Sequence, residues 1–273
     1  MLLLANLPEA AAHTARYAAA LGRPLGLRLV LLHCYLYPVL SEPALLAAAT
    51  EELDLDEAET MTALRALARS LPGTTEVLEA SGIVLDDVAA AIRRYQPLLL
   101  AMGLGPDQGP LDELLHSQVL PVLRDTRRPL LLVPAAATAP GPPRRVLVAV
   151  DGEPFTPNAA GRAVAPLLAS WAAAYTVAHI LPGPDEAARS SHLALADVRA
   201  SGLLPPEAPV RLYQQIYSSP VAGIAQALAD TQANLLVLIA RPRSFLNELF
   251  HRSVTAAVLR HCAVPVLLLP AAE

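Results

Sequence analysis

Short, almost continuous apolar runs alternate along this chain with longer segments in which apolar residues recur at helical spacing. Runs such as Leu235–Ile239 and Val264–Leu269 contain no regular polar positions, which is typical of parallel strands covered on both faces. The longer segments, such as Leu85–Tyr95, predict amphipathic helices that pack on such a sheet. The repeated order of strand and helix therefore predicts an α/β fold: doubly wound, mostly parallel sheets with helices on both faces.

Each half of the chain contains five predicted strands, so two five-stranded sheets are expected. The predicted strands are Met1–Ala5, Leu27–Cys34, Thr75–Ala80, Leu98–Met102, Pro129–Val133, Arg145–Val150, Tyr175–Leu181, Val210–Ile216, Leu235–Ile239 and Val264–Leu269. The predicted helices are Ala10–Leu21, a segment within Ser41–Ser70, Leu85–Tyr95, Leu111–Arg124, Pro157–Ala174, Asp185–Ala200, Val221–Thr231 and a helix after Ser244.

A run of small residues and prolines without periodicity, Ala135–Pro143, separates the two halves. Its composition is that of an interdomain linker. We therefore place one domain at residues 1–137, the linker at 138–143 and a second domain at 144–273. Of the 273 residues, 54% are hydrophobic, which provides enough apolar side chains for two cores.

The two halves also share sequence, which indicates an internal repeat. His33 in VLLHCY and His179 in TVAHIL each lie near the end of a second strand, and LLLAMG at 98–103 matches LLVLIA at 235–240. Four further pairs recur at one common separation: Ser117 and Ser253, Arg124 and Arg260, Pro129 and Pro265, and Pro134 and Pro270. The chain is therefore interpreted as two fused copies of one domain.

Composition excludes several classes of function. The formal net charge is −5, there is no lysine, and aromatic residues make up only 4%, so a basic, aromatic-rich nucleic-acid surface is not expected. No apolar run approaches the roughly 18 residues that a membrane span needs. The segment MLLLANLPE has no basic start typical of a secretory signal. Cys34 and Cys262 lie in or beside apolar elements, which favours reduced thiols and a cytoplasmic location.

The segments RVLVAVDGEP, TVAHIL and SVTAAVLRHCAVPVLLLP resemble the universal stress protein family, and the resemblance extends as a tandem over nearly the whole chain. Nucleotide-binding members of that family carry a loop Gly-x2-Gly-x9-Gly-Ser/Thr after strand four. Glycines there let backbone amides approach the phosphates, and the next helix directs its N-terminus at them. An Asp after strand one accepts a hydrogen bond from the adenine side of the ligand.

The second domain keeps little of this pattern. Asp151 matches the strand-one Asp, but Ala240 stands at the first glycine and Arg243 at the second. Arg252 and Ser253 replace the final Gly-Ser pair, with the spacer one residue short. The resemblance therefore implies a vestigial nucleotide site in which only the hydroxyl of the loop survives.

The first domain departs from the pattern at other positions. Asn6 replaces the Asp, and Gly103 matches the first glycine. Pro106 stands at the second glycine and has no amide hydrogen for a phosphate. His116 and Ser117 replace the last pair.

Several residues can be interpreted either as ligand-binding residues or as ordinary structural residues. Arg243 and Arg252 could clamp phosphate, or they could be solvated loop residues or fill the vacated pocket. Asp151 could bind adenine or cap the turn after strand one. The histidines show no spacing typical of a metal site, so hydrogen-bonded or exposed side chains are expected. Ser218 and Ser219 are expected to cap a helix.

The resemblance implies a cytoplasmic, non-catalytic stress-response protein that acts by protein interaction or weak ligand sensing, with no required cofactor. Two alternatives remain: an ATP or AMP sensor that uses Asp151 with Arg243 and Arg252, and a nucleotide hydrolase. The resemblance also implies an intramolecular pseudo-dimer through the fifth strands, Leu130–Val133 and Val266–Leu269. A homo-oligomer or a protein partner is possible, whereas nucleic acid and membrane are not expected.

Overall fold

A computed structural model describes residues 1–5, 8–33, 58–79, 84–104, 126–137, 141–181, 187–217, 219–241, 257–259 and 262–272. The strands are β1 (Leu2–Ala5), β2 (Leu29–His33), β3 (Thr75–Glu79), β4 (Leu100–Leu104), β5 (Leu130–Pro134), β6 (Arg145–Val150), β7 (Ala174–Leu181), β8 (Val210–Ile216), β9 (Leu235–Ala240) and β10 (Val266–Pro270). The helices are α1 (Pro8–Gly22), α2 (58–70), α3 (Val84–Tyr95), α4 (Ala159–Ala163), α5 (Ala165–Ser170), α6 (Ala187–Ala200) and α7 (Pro220–Thr231).

The ten strands in the described residues form one sheet in the order β3-β2-β1-β4-β5-β10-β9-β6-β7-β8. Within the first five and within the last five, neighbouring strands are parallel. The order of the first half is repeated in reverse by the second half. The predicted α/β fold with a mostly parallel sheet is therefore confirmed, and the two predicted five-stranded sheets are joined into one.

The junction lies at the centre of the sheet, where β5 and β10 run antiparallel. Val266 is paired with Leu132, and Leu268 with Leu130. Every residue of both strands is buried. The two apolar strands thus cover each other's edges, which would otherwise be open to pairing with another chain.

Hydrophobic cores cover both faces of the sheet because successive side chains of each strand point to opposite sides. Leu3 and Leu31 belong to one core, and Leu2 and Val30 to the other. Each core includes residues from both halves of the chain. Burial on both faces explains why the strands are continuous apolar runs.

One predicted helix is wrong in its extent. The segment expected as Pro157–Ala174 forms two short helices, α4 and α5, on either side of Val164. Pro166, near the start of α5, has no amide hydrogen, so it cannot complete the hydrogen-bond ladder of a continuous helix. Asn158 caps α4, because its Oδ1 accepts a hydrogen bond from the Gly161 amide at 2.7 Å.

Other expectations are only partly testable. Ser219 is the N-cap residue of α7, but its side chain makes no capping hydrogen bond, so its expected capping contact is wrong. Ser218, Cys34 and the predicted helix Leu111–Arg124 lie outside the described residues. Of the helix predicted after Ser244, residues 257–259 are described and are helical. Among the helices that the structure describes, none is both long enough and apolar enough to cross a membrane.

Candidate functional site

The carboxyl ends of β6 and β9 bring two charged residues together. These strands are parallel neighbours, with Val146 opposite Leu235 and Ala149 opposite Leu238. Asp151 follows β6 directly, and Arg241 follows β9 directly. Because parallel strands end at the same edge of the sheet, the two side chains meet there, at the edge where open α/β folds bind ligands.

Arg241 binds the carboxylate of Asp151 through two hydrogen bonds. Nε donates to Oδ2 at 2.9 Å, and Nη2 donates to Oδ1 at 2.8 Å. This parallel arrangement is the bidentate geometry that matches a guanidinium to a carboxylate, and it makes charge-assisted hydrogen bonds. Both oxygens of Asp151 are therefore engaged by a residue of the chain itself.

The rest of the guanidinium binds the backbone of the same loop. Nη1 of Arg241 donates to the carbonyl oxygen of Pro154 at 3.1 Å, and Nη2 donates to that of Glu153 at 2.7 Å. The carboxylate of Glu153 lies 3.6 Å from Nε of Arg241. A guanidinium has five N–H donors. Four hydrogen bonds to the loop leave Arg241 little capacity to bind a phosphate.

The loop itself is shaped by Asp151. Its Oδ1 accepts a hydrogen bond from the amide of Glu153 at 3.1 Å, which forms a local turn of the kind that Asp favours. Gly152, between them, has φ 80°, a left-handed conformation that glycine adopts without a Cβ penalty. The Asp-Gly pair thus turns the backbone so that the carbonyls of Glu153 and Pro154 face Arg241.

The pairing shifts the titration of both groups. Partial burial of Asp151 opposes its ionisation, but the hydrogen bonds and charge of Arg241 outweigh it and lower the pKa of the carboxyl below its ordinary value. The hydrogen bond from Arg241 to Asp151 raises the pKa of the guanidinium. The pair is therefore fully charged at neutral pH.

The other proposed site residues are distributed differently. Ala240 is the last residue of β9, paired with Pro270 and only 7% exposed. Gly103 lies within β4, opposite Val133, in the other half of the sheet, so it does not join Asp151. Asn6, Ser117, Arg243, Arg252 and Ser253 lie outside the described residues.

The pairing of Arg241 with Asp151 was not predicted from the sequence, in which Arg243 and Arg252 were considered as phosphate ligands instead. A usable signal was present, because Arg241 directly follows strand four and Asp151 directly follows strand one. The carboxyl ends of these neighbouring strands must lie side by side.

Two histidines that could have suggested a metal are buried and hydrogen-bonded. Nδ1–H of His33 donates to the carbonyl oxygen of Ala5 at 3.0 Å. Nδ1 of His179 lies 3.0 Å from Oγ of Ser191, within the core of the second half. The expectation of hydrogen-bonded histidines is confirmed for both. His251 and His261 lie outside the described residues.

The one cysteine in the described ranges, Cys262, is a free thiol. It is half-buried and donates a hydrogen bond to the carbonyl of Val264 at 3.3 Å. Burial raises the pKa of this thiol, so it is not an activated nucleophile.

The sheet order and the site at its carboxyl edge define an α/β protein of the doubly wound type. Residues 143–270 match the model of the universal stress protein family. No curated protein sequence matches the chain.

Solved structures with the same fold include universal stress proteins. A universal stress protein from Archaeoglobus fulgidus DSM 4304 superposes with a TM-score of 0.61 at 16% identity, covering 100% of this chain and 97% of the other. A putative universal stress protein from Pseudomonas aeruginosa UCBPP-PA14 gives 0.57 at 15% identity, covering 99% and 93%.

A third similar structure belongs to a different kind of protein. The cytoplasmic domain of a prokaryotic cation chloride cotransporter superposes with a TM-score of 0.57 at 11% identity, covering 98% of this chain and 93% of that one. These identities are low, so the structures establish the fold and leave function to the site.

Proposed function

We propose that the chain is a tandem of two universal stress protein-like domains and acts as a non-catalytic stress-response module that does not use ATP at Asp151. The tandem is supported by the mirrored strand order of the two halves and by the central pairing of β5 with β10. The pairing joins the halves as an intramolecular pseudo-dimer.

The proposal that this site no longer binds a nucleotide rests on the bidentate pair between Arg241 and Asp151. Resemblance to the family implies that this Asp would accept a hydrogen bond from the adenine side of a nucleotide. Here each of its oxygens already accepts from Arg241. A donor on the adenine side of a nucleotide would have to compete with this charge-assisted pair for the carboxylate, which opposes binding.

The proposed mode of action is an interaction with another protein or weak sensing of a small ligand. The carboxylate of Asp151 is committed to an arginine, so it is not held as a base beside a nucleophile or a water. The resemblance places the family in stress response. A cytoplasmic location is proposed on the same basis.

Nucleotide content and nucleotide binding test this function. The purified protein is denatured and its supernatant analysed for nucleotides, and ATP and AMP are titrated into the wild type up to about 1 mM, the range of weak affinities. We expect no nucleotide in the supernatant and no binding. Near-stoichiometric ATP or AMP would overturn the proposal.

Substitution of Arg241 tests whether this residue is the reason that nucleotide binding is lost. Arg241→Ala frees the carboxylate of Asp151, and we expect weak binding of ATP or AMP that disappears in Arg241→Ala/Asp151→Asn. If the wild type does not bind and Arg241→Ala does not bind either, Arg241 is not what excludes nucleotide. Steady phosphate release from ATP by the wild type, lost on Asp151→Ala, would instead favour a hydrolase.

A further inference from the structure

The loop after β6 surrounds a guanidinium with oxygen acceptors. The acceptors are the carboxylate of Asp151, the carbonyl oxygens of Glu153 and Pro154, and the more distant carboxylate of Glu153. We call residues 151–154 the guanidinium cradle. We propose that the guanidinium cradle is a recognition site for arginine-type ligands, which Arg241 fills from within the chain.

The arrangement of the acceptors matches the planar, forked set of N–H donors of a guanidinium. Oδ1 and Oδ2 of Asp151 accept from Nη2 and Nε, while the two carbonyl oxygens accept from Nη2 and Nη1. A guanidinium presents its donors in one plane and in fixed directions, whereas an ammonium is a compact point charge. The cradle therefore distinguishes arginine from lysine by the geometry of the donors, since both side chains carry the same charge.

The cradle is open to solvent on its acidic side. The side chains of Asp151 and Glu153 are 57% and 73% exposed, whereas that of Arg241 is 25% exposed. Arg241 directly follows β9, and the cradle lies in the loop after β6, so the two can separate without breaking either strand. A guanidinium from another molecule can thus reach the same acceptors once Arg241 has moved.

Arg241 acts as a competitor within the chain. A tethered group has an effective concentration of about millimolar or more, so an external guanidinium must exceed this to displace it. In the wild type the cradle is closed to weak ligands. A partner that presents an arginine together with further contacts could replace Arg241, which gives the site an autoinhibited state and an exchanged state.

This inference rests on the same ion pair as the proposed function, but it concerns what the cradle accepts. The two fail separately. Nucleotide binding by the wild type would overturn the proposed function, while the guanidinium inference is decided in variants without any nucleotide.

The test uses the full chain with Arg241→Ala, which empties the cradle. Methylguanidinium and methylammonium, two probes of equal charge, are titrated by calorimetry and by thermal unfolding. We expect methylguanidinium to raise the unfolding temperature of Arg241→Ala and to bind at least about tenfold more tightly than methylammonium, as a bidentate pair predicts. The wild type should not respond at the same concentrations.

Two further variants serve as controls. In Arg241→Ala/Asp151→Asn the cradle has lost its bidentate acceptor, and the response to methylguanidinium should be absent. Arg241→Lys keeps the charge but not the fork, so its tethered ammonium should compete less well than Arg241, and methylguanidinium should bind this variant more weakly than Arg241→Ala but more tightly than the wild type. It also provides the measurement if the alanine variant does not fold. An equal response to both probes, a response that survives Asp151→Asn or no response at all would each overturn the inference.

A second arm separates small guanidinium compounds from arginine in a protein. Acetyl-Gly-Arg-Gly-amide and acetyl-Gly-Lys-Gly-amide are added to Arg241→Ala under the same conditions. Preference for the arginine peptide supports recognition of a protein side chain. Binding of methylguanidinium without the arginine peptide restricts the cradle to small guanidinium compounds and overturns the exchange with a partner protein.

Discussion

Trp171 donates a hydrogen bond from Nε1 to the carbonyl oxygen of Leu21 at 3.1 Å. Trp171 directly follows α5 in the second half, and Leu21 lies near the end of α1 in the first. Both side chains are buried, at 5% and 0% exposure. The bond therefore ties helices of the two halves on one face of the sheet, in addition to the pairing of β5 with β10.

Trp171→Phe should weaken this connection. The substitution removes the N–H donor and leaves the Leu21 carbonyl without that partner in a buried site, which costs about 2 kcal/mol of the free energy of unfolding. Urea denaturation followed by circular dichroism measures the loss. Because the bond joins the halves, amide hydrogen exchange should rise in α1 as well as around α5.

Tyr175→Phe is the matched control for that change. The hydroxyl of Tyr175 donates to the carbonyl oxygen of Leu168 at 2.6 Å, within the second half and in the same core. This variant should also lose stability, but without faster exchange in α1. If both variants affect α1 equally, the Trp171 bond does not join the halves in the way described.

Gly223 lies where α7 crosses β7 at close range. A Cβ at this position would overlap with Cγ2 of Ile180. Gly223→Ala should therefore destabilise the protein by about 1–3 kcal/mol, as overpacking does, despite the better helix propensity of alanine. The free energy of unfolding in urea measures the effect.

Two further variants identify steric overlap as the cause. Gly141→Ala adds the same Cβ where no atom lies within 4 Å and should be nearly neutral. In Ile180→Ala the side chain that would clash is removed, so adding Gly223→Ala to it should cost less than in the wild type. Strictly additive losses would contradict the proposed overlap.

Asp151 makes stability depend on acid pH. Its pKa is lower in the folded protein than in the unfolded chain, so its contribution is present above the unfolded pKa of about 4 and is lost as pH falls through the folded pKa. Since the carboxylate is 57% exposed, solvent screening limits this contribution to under about 1 kcal/mol.

The comparison is between the wild type and Asp151→Asn across acid pH. The wild type should be more stable at pH 7, and the difference should shrink as the carboxyl becomes protonated. A difference that stays constant down to pH 2 would show that ionisation of Asp151 is not involved.

Each outermost strand is tied to the helix that follows it by a tyrosine and a carboxylate. Tyr95 of α3 donates to Oε1 of Glu76 on β3 at 2.6 Å. Tyr213 of β8 donates to Oδ2 of Asp230 on α7, also at 2.6 Å. The two halves thus make the same connection with the partners exchanged between strand and helix.

Removing either hydroxyl should loosen only its own edge of the sheet. Tyr95→Phe should speed amide exchange in β3, and Tyr213→Phe should speed it in β8, because an outer strand has a neighbour on one side only. Each variant is the control for the other. Faster exchange at the opposite edge would contradict independent ties.

Periodicity predicted the fold because burial on both faces leaves a clear pattern in the sequence. Leu235–Ile239 was predicted as a strand within one residue of its observed end, since all its neighbours in the core are apolar. The break between α4 and α5 was missed, because the apolar pattern continues across Val164 while Pro166 interrupts the hydrogen bonds. The apolar pattern indicates which residues are buried, whereas the boundaries of a helix depend on which backbone amides can donate hydrogen bonds.

The site was less predictable, because contact between residues far apart in the chain depends on strand order. Asp151 was identified from its resemblance to a family position. Its partner, Arg241, belongs to no motif and is found only when β6 and β9 are placed side by side. Asp151 and Arg241 are far apart in the sequence, and only the order of the strands brings them within hydrogen-bond distance.

The antiparallel pairing of β5 with β10 also has a consequence during synthesis on the ribosome. The apolar strand Leu130–Pro134 is complete when most of the second half has not yet been translated. At ordinary rates of protein synthesis, on the order of 10 s pass before Val266–Pro270 follows it. During this interval the nascent first half exposes an unpaired apolar edge, a substrate for chaperones and for premature association with neighbouring nascent chains.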